Sequence, residues 1–194
     1  MLDGLRDNDT VLRPREHMTD THGFTEHLFG LCYLLGYTFM PRLKDLTDQQ
    51  LYTLGRQTAY GPLDVLFHGQ VALDLLREQW DQLVRVAASL RHRTAPAHVM
   101  LPHLANSPER LTKALTALGR IVKTIYIFQY MHDPALRGRV QLQLNRGEAC
   151  HRLASRLFFA NQGVFRTGDD EEIMNKVSCL SLLSNAALVW ILCA

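Results

Sequence analysis

Glu16-His17-Met18-Thr19-Asp20-Thr21-His22-Gly23-Phe24-Thr25-Glu26 is the stretch whose reading decides the fold. It sets one carboxylate, Asp20, among small hydroxyl residues and a glycine, just before an apolar-periodic run that begins at Phe24. That pattern reads as a strand handing over to a helix. A carboxylate at a strand end, its backbone held and its tip free, is where metal-dependent phosphate chemistry usually puts a ligand. An Asp flanked by Thr ahead of a helix is also a good N-cap, and on spacing alone the cap is the better reading.

Downstream of this stretch, Phe24, Leu28, Leu31 and Leu35 recur at helical steps, and Gly36 supplies the stop. Residues 37–40 form a short apolar run that Pro41 closes, so a buried strand is expected there. Upstream, residues 11–18 can run extended, with Pro14 favouring an edge or a strand start, and residues 1–10 are polar and turn-rich. The result is strand, helix, strand, the βαβ unit of an α/β sheet.

Farther along, the chain reads as helical throughout. Thr47 caps a short helix through Leu54, and Gly61-Pro62 marks a turn. Leu73, Leu76, Trp80, Leu83, Val84, Ala87 and Leu90 form one apolar stripe, read as a single helix over residues 71–90. Pro96 and Pro102 bracket a short segment. Ser107-Pro108 starts a helix running to about Tyr130, and Asp133-Pro134 starts another that Gly163 ends. Asp169-Asp170-Glu171-Glu172 opens the last helix, where negative charge suits a helix N-terminus. Its apolar tail, counted from Cys179, is short of the ~20 residues a membrane span requires and is expected to be a buried helix. No internal repeat or low-complexity segment is evident.

The 194 residues suffice for one full-sized domain, and 47% hydrophobic with 21% charged residues is ordinary globular composition that argues against disorder. A net charge of +2 favours nucleic acid only slightly, so any DNA affinity must come from local patches. Cys32, Cys150, Cys179 and Cys193 form no C-x-x-C pair, which removes zinc-knuckle and disulfide-framework readings and leaves reduced, mostly packed thiols in a cytoplasmic protein. The N-terminus lacks a charged-then-apolar signal pattern.

Read onward from Asp20, the wording Thr-Asp-Thr-His-Gly-Phe-Thr-Glu-His-Leu-Phe-Gly-Leu, then Leu34-Leu35-Gly36-Tyr37, then Pro41-Arg42-Leu43-Lys44-Asp45-Leu46, resembles the transposases of the Tn-three family. The likeness resumes at Gln79-Trp80-Asp81, at Ala87-Ala88-Ser89-Leu90-Arg91 and, most specifically, at Leu144-Asn145-Arg146-Gly147-Glu148-Ala149, so it covers nearly the whole chain in the family's order. The resemblance implies an α/β, mostly helical fold: a partial ribonuclease H-like core with a helical insertion. Residues 1–46 would be the strand-helix-strand core, 47–132 the insertion, and 133–194 the helices carrying the catalytic Glu, all within one catalytic-domain fragment of a bacterial DDE transposase. The second Asp of the family's triad falls on Asp20 and its Glu on Glu148, which makes these two the catalytic and metal-holding residues. The cofactor implied is Mg2+ (or Mn2+), and the partners are transposon-end and target DNA and further protomers of the intact parent; no membrane partner is expected.

Two departures qualify this. Only nineteen residues precede Asp20, and Asp3, Asp7 and Asp9 do not stand in surroundings like the family's first-Asp motif. The ending Trp190-Ile191-Leu192-Cys193-Ala194 also differs from the family's Trp-Asn-Thr kind. The chain therefore reads as a fragment, short at its front and altered at its tail, with little or no strand cleavage of its own.

Transferring a phosphodiester needs an activated oxygen nucleophile and neutralised charge on the departing oxygen, and two magnesium ions about 3.5 to 4 Å apart on a few carboxylates can do both. A lone helical Glu is ordinarily a solvated surface residue, and only the Leu-Asn-Arg-Gly-Glu-Ala wording makes Glu148 a ligand. Glu148 with His151 is a di-iron-type Glu-x-x-His pair lacking its required second copy. His22 and His27, or His98 and His103, are five apart, which misses the four-residue spacing of two ligands on one helical face; His22 could still touch phosphate or water beside Asp20. Arg85, Arg91 and Arg93 with His92 form one basic group, and Arg137, Arg139, Arg146, Arg152 and Arg156 another around Glu148. On helices both could track a DNA backbone or simply be solvated faces. Arg42 contacts phosphate or pairs with Asp45. No phosphate loop, Ser-His-Asp order or dinucleotide fingerprint is present. Beside the transposase fragment stand a non-catalytic remnant that binds DNA or a transposase protomer, and a metal-dependent nuclease completed by Asp3, Asp7 or Asp9.

Overall fold

The computed structural model of the chain describes residues 14–20, 24–46, 48–55, 60–92, 109–157 and 169–193. In order, these form β1 (Glu16–Thr19), α1 (Glu26–Leu35), β2 (Thr38–Pro41), β3 (Leu51–Thr53), a 3-10 turn (Gly61–Leu66), β4 (Phe67–Gln70), α2 (Leu73–Glu78), α3 (Trp80–Arg91), α4 (Arg110–His132), α5 (Pro134–Leu157) and α6 (Asp170–Cys193). The fold is α/β and mostly helical, as expected. The chain divides into two compact units, Met1–Val140 and Gln141–Ala194, and the division falls within α5.

In the first unit the strand-helix-strand reading is realised. β1 and β2 pair in parallel, with Glu16 opposite Thr38 and Thr19 opposite Pro41. Between them α1 starts at Thr25, whose hydroxyl accepts from the Leu28 N–H, and stops at Gly36, whose φ of 80° suits a residue without a Cβ. β2 buries Phe39, Met40 and Pro41 in succession, as a strand covered on both faces does, while α1 buries Phe29, Leu31 and Cys32. Phe29 meets Phe39 edge-on at 5.0 Å and Tyr126 of α4 at 5.8 Å, which joins sheet, α1 and α4 into one core.

α1 crosses α4 at a distance that only glycine permits. A Cβ on Gly30 would stand 2.8 Å from the Leu115 carbonyl oxygen, and one on Gly119 would run into the backbone carbonyl of Glu26. A second cluster, with Tyr52, Val71, Leu76, Leu83, Leu115 and Leu118, packs β3, α2 and α3 on α4.

Several expectations for residues 47–132 are corrected. Residues 51–53 are not helix but β3, paired in parallel with β4, so the stretch 47–132 is not wholly helical. Leu51 and Tyr52 are both buried, and the Tyr52 N–H donates to the Thr124 hydroxyl of α4. Long-range pairing of this kind outweighs local propensity. β4 follows a 3-10 turn that begins at Gly61, with φ 62°. The single helix over 71–90 is two, separated at Gln79, and within its stripe Trp80 and Val84 are exposed while Leu76, Leu83, Ala87 and Leu90 are buried. The start at 107–108, the segment between Pro96 and Pro102 and the stop at Gly163 lie outside the described residues.

The Asp133-Pro134 start forms as expected, with the Asp133 carboxylate accepting from the Ala135 N–H. In the second unit the Asp169 carboxylate does the same for Glu171 at the head of α6. α6 is not buried. Leu182 and Trp190 are 72% and 74% exposed. Counted from Asp170 rather than Cys179, the 21 residues Asp170–Trp190, mean hydropathy 1.2, are long and apolar enough to cross a membrane by length and composition alone.

Candidate functional site

Asp20 is the first residue past β1, and Arg42 is the first past β2. The parallel register that sets Thr19 beside Pro41 brings the two side by side. The ladder continues one step, the Arg42 N–H donating to the Thr19 carbonyl at 2.8 Å, and the Arg42 guanidinium lies 2.9 Å from the Asp20 carboxylate. Asp45 is therefore not the partner of Arg42; sequence proximity suggested it, and strand pairing overrides it. The Tyr126 hydroxyl donates to the Pro41 carbonyl at 2.6 Å, pinning the end of β2 to α4. Burial, with Tyr130 nearby, pushes the Tyr126 phenol above its ordinary pKa, so it remains a donor.

The cap reading of Asp20 gives way, because Thr25 does that work five residues later. Asp20 is instead a strand-end carboxylate, 62% exposed. Around it, Thr19 Oγ1 and Arg42 Nε are buried without a hydrogen-bond partner among the described residues, as is His17 Nε2, whose ring stacks on Phe39. Hard, exposed oxygens already facing a cation suit a divalent metal that keeps several waters. Among the described residues, no three His, Cys, Asp or Glu side chains gather into a metal-holding group. Asp20 thus has the donor chemistry that a hard divalent ion takes, as a single carboxylate. Asp3, Asp7, Asp9 and His22 lie outside the described residues.

Glu148 belongs to the second unit, on an exposed stretch of α5. Arg146, Arg152, His151 and Arg156 are exposed on the same helix, and Glu148 and Arg152 are spaced as neighbours on one face. Of the basic group named around Glu148, two members have other duties in the first unit: Arg137 donates to the Tyr130 and Met131 carbonyls at the end of α4, and Arg139 lies 3.6 Å from Glu16. Arg85, Arg91 and His92 are exposed on or just after α3, and Arg93 is outside the described residues.

The sequence reading missed a polar cluster where α1 meets α4. The Glu26 carboxylate accepts from Arg120 Nε and from the Tyr52 hydroxyl, both at 2.9 Å, and the Arg120 guanidinium lies over the Tyr52 ring. Burial and Glu26 raise the Tyr52 pKa, and burial lowers that of Lys123. His27 meets the Thr116 hydroxyl at 2.9 Å, and its pKa is lowered chiefly by burial. Glu26 lies in the first turn of α1, but its partners are far away in sequence, so no local pattern could have found them. Among the thiols of the described residues, Cys32 is packed, its pKa pushed up to about 12 by burial, while Cys150 and Cys179 are exposed, contrary to the expectation of mostly packed cysteines.

Residues 1–192 match the family model described as the Tn3 transposase DDE domain. The transposase for transposon Tn1546 of Enterococcus faecium is 37% identical over 192 residues, a span covering 98% of this chain and 19% of the relative. The transposases for Tn2501 and Tn21 of Escherichia coli are 39% and 38% identical, each over 98% of this chain and 19% of their own length. The chain thus spans about a fifth of the length of these curated relatives.

Proposed function

The chain belongs to the Tn3 transposase DDE domain family, and from that membership we propose that it is a catalytic-domain fragment of a transposase whose parent cleaves DNA at transposon ends and joins those ends to target DNA. In this reading residues 1–46, 47–132 and 133–194 belong to one catalytic domain, and β1, α1 and β2 are part of a ribonuclease H-like core. Asp20 and Glu148 are its catalytic carboxylates. The parent works as a homo-oligomer in the bacterial cytoplasm.

The observation that carries the reading is the position of Asp20, at the exposed end of a parallel strand with helix capping left to Thr25. Asp20 and Glu148 would hold Mg2+ or Mn2+ through hard carboxylate oxygens. When bound, such ions supply Lewis-acid neutralisation of phosphoryl charge and a more acidic attacking water or hydroxyl. The chain's own part is to fix Asp20 by the β1-β2 ladder and to offer Arg146, Arg152 and Arg156 to phosphates beside Glu148.

The test is nicking of transposon-end duplex in Mg2+ or Mn2+. Full-length parent protein should nick it, and Asp20→Ala and Glu148→Ala should each take nicking below detection. The 194-residue chain alone should give little or none; vigorous nicking by it would sink that part of the proposal. The exposed arginines of α5 favour a second reading, a DNA-binding remnant without catalysis. It gains if both Ala variants of the parent nick as well as wild type while substituting the three arginines weakens DNA binding.

A further inference from the structure

The Asp20–Arg42 pair has a geometry that bears on how a metal could reach Asp20. Both residues sit one step beyond paired strand ends, and their backbones are held by the Arg42 N–H to Thr19 carbonyl bond and by Tyr126 on Pro41. The guanidinium is therefore delivered to the carboxylate by the sheet itself, at 2.9 Å, rather than by chance of a long side chain. Yet the contact leaves part of the guanidinium unsatisfied, since Arg42 Nε is buried without an acceptor among the described residues. The two side chains are 35% and 62% exposed, so water screens the attraction and exchange is easy.

We propose that Arg42 is a resident cation at Asp20, holding the charge position that a divalent metal takes, so that metal loading requires the guanidinium to release the carboxylate. This rests on the reading of Asp20 as a metal ligand. A monovalent cation about 3 Å from the carboxylate both occupies a face of it and repels an arriving divalent ion. Arg42 would thereby keep Asp20 charge-balanced when no metal is bound, at the expense of metal affinity. It acts as a positioning residue that works through Asp20.

Mn2+ binding to the 194-residue chain, followed by the electron paramagnetic resonance signal of the free ion, tests this. Arg42→Gln should tighten Mn2+ binding by about fivefold, the upper end for a charge pair of this exposure. Arg42→Lys should remain near wild type because it keeps the charge, and adding Asp20→Asn should cancel the gain. In the unsubstituted chain, Mn2+ should speed modification of Arg42 by phenylglyoxal, read on the Arg42 peptide by mass spectrometry; this measurement does not depend on any variant folding. If Asp20→Asn weakens Mn2+ binding but Arg42→Gln does not tighten it and Mn2+ leaves Arg42 reactivity unchanged, the resident-cation idea is overturned while Asp20 stands as a ligand. Mn2+ binding that Asp20→Asn leaves unchanged with and without Arg42→Gln, or no Mn2+ binding by any form, overturns both.

Discussion

Asp20 and Glu148 are the two carboxylates singled out by the same family wording, and their surroundings could hardly differ more. Asp20 ends a strand whose partner strand, neighbouring cation and supporting tyrosine come from residues up to 126. Glu148 rides the surface of a long helix beside arginines of its own turns. Among the described residues, one position is defined by tertiary contacts and the other by helical periodicity. The difference teaches that the first unit carries its candidate ligand on a packed frame, so substitutions there should be felt in stability, whereas equivalent changes on α5 should register mainly as helix propensity.

Glycine substitutions give the largest contrast. Gly119→Ala should destabilise the first unit by about 3 kcal/mol, because the new methyl meets the Glu26 carbonyl and the helices must separate. Gly147→Ala, with nothing within 4 Å of its new methyl, should instead raise helix stability by roughly 0.5–1 kcal/mol. Denaturant unfolding followed by circular dichroism measures both, and equal effects at the two sites would erase the contrast. Next in size is Tyr126→Phe, which strands the Pro41 carbonyl and should cost about 1–2 kcal/mol in the same measurement.

Smaller still is the division of labour at the head of α1. Thr25→Ala should cost about 1 kcal/mol as a lost N-cap. Asp20→Asn should cost about half that or less, as an exposed ion pair does; the reverse order would return Asp20 to the capping role. The smallest effect concerns pH. Burial lowers the pKa values of His17 and His27 below 6.5, so the unfolded chain takes up protons first on acidification. Stability present above about pH 6.5 should then be lost as pH falls through the lowered folded-state values. Denaturation midpoints at pH 7.5 and 5.5 should differ less in His27→Gln than in wild type.

How much of this was readable in advance depended on the range of the contacts. The helix from Thr25 to Gly36 and the start at Asp133-Pro134 follow from side chains that bond backbone within three residues, so local wording was enough. β3 was misread because Leu51 and Tyr52 are strand residues only by virtue of β4 and Thr124, and the Gln79 break interrupts a stripe that is continuous in sequence. The Glu26, Arg120 and Tyr52 cluster was invisible for the same reason. α6 departs from its expected burial because hydropathy reports a tendency to be buried and not the long-range contacts that bury a helix.

By itself, the sequence determined the family, the strand-helix-strand order around Asp20 and the two acidic residues to watch, since motif wording and helical or strand period are properties of neighbours along the chain. Only the tertiary structure decided that Thr25 rather than Asp20 caps α1, that Arg42 faces Asp20 rather than Asp45, and that two glycines let α1 lie against α4. Those outcomes turn on strand register and on helices meeting at backbone distance, and residues far apart in sequence become partners only after the chain has closed on itself.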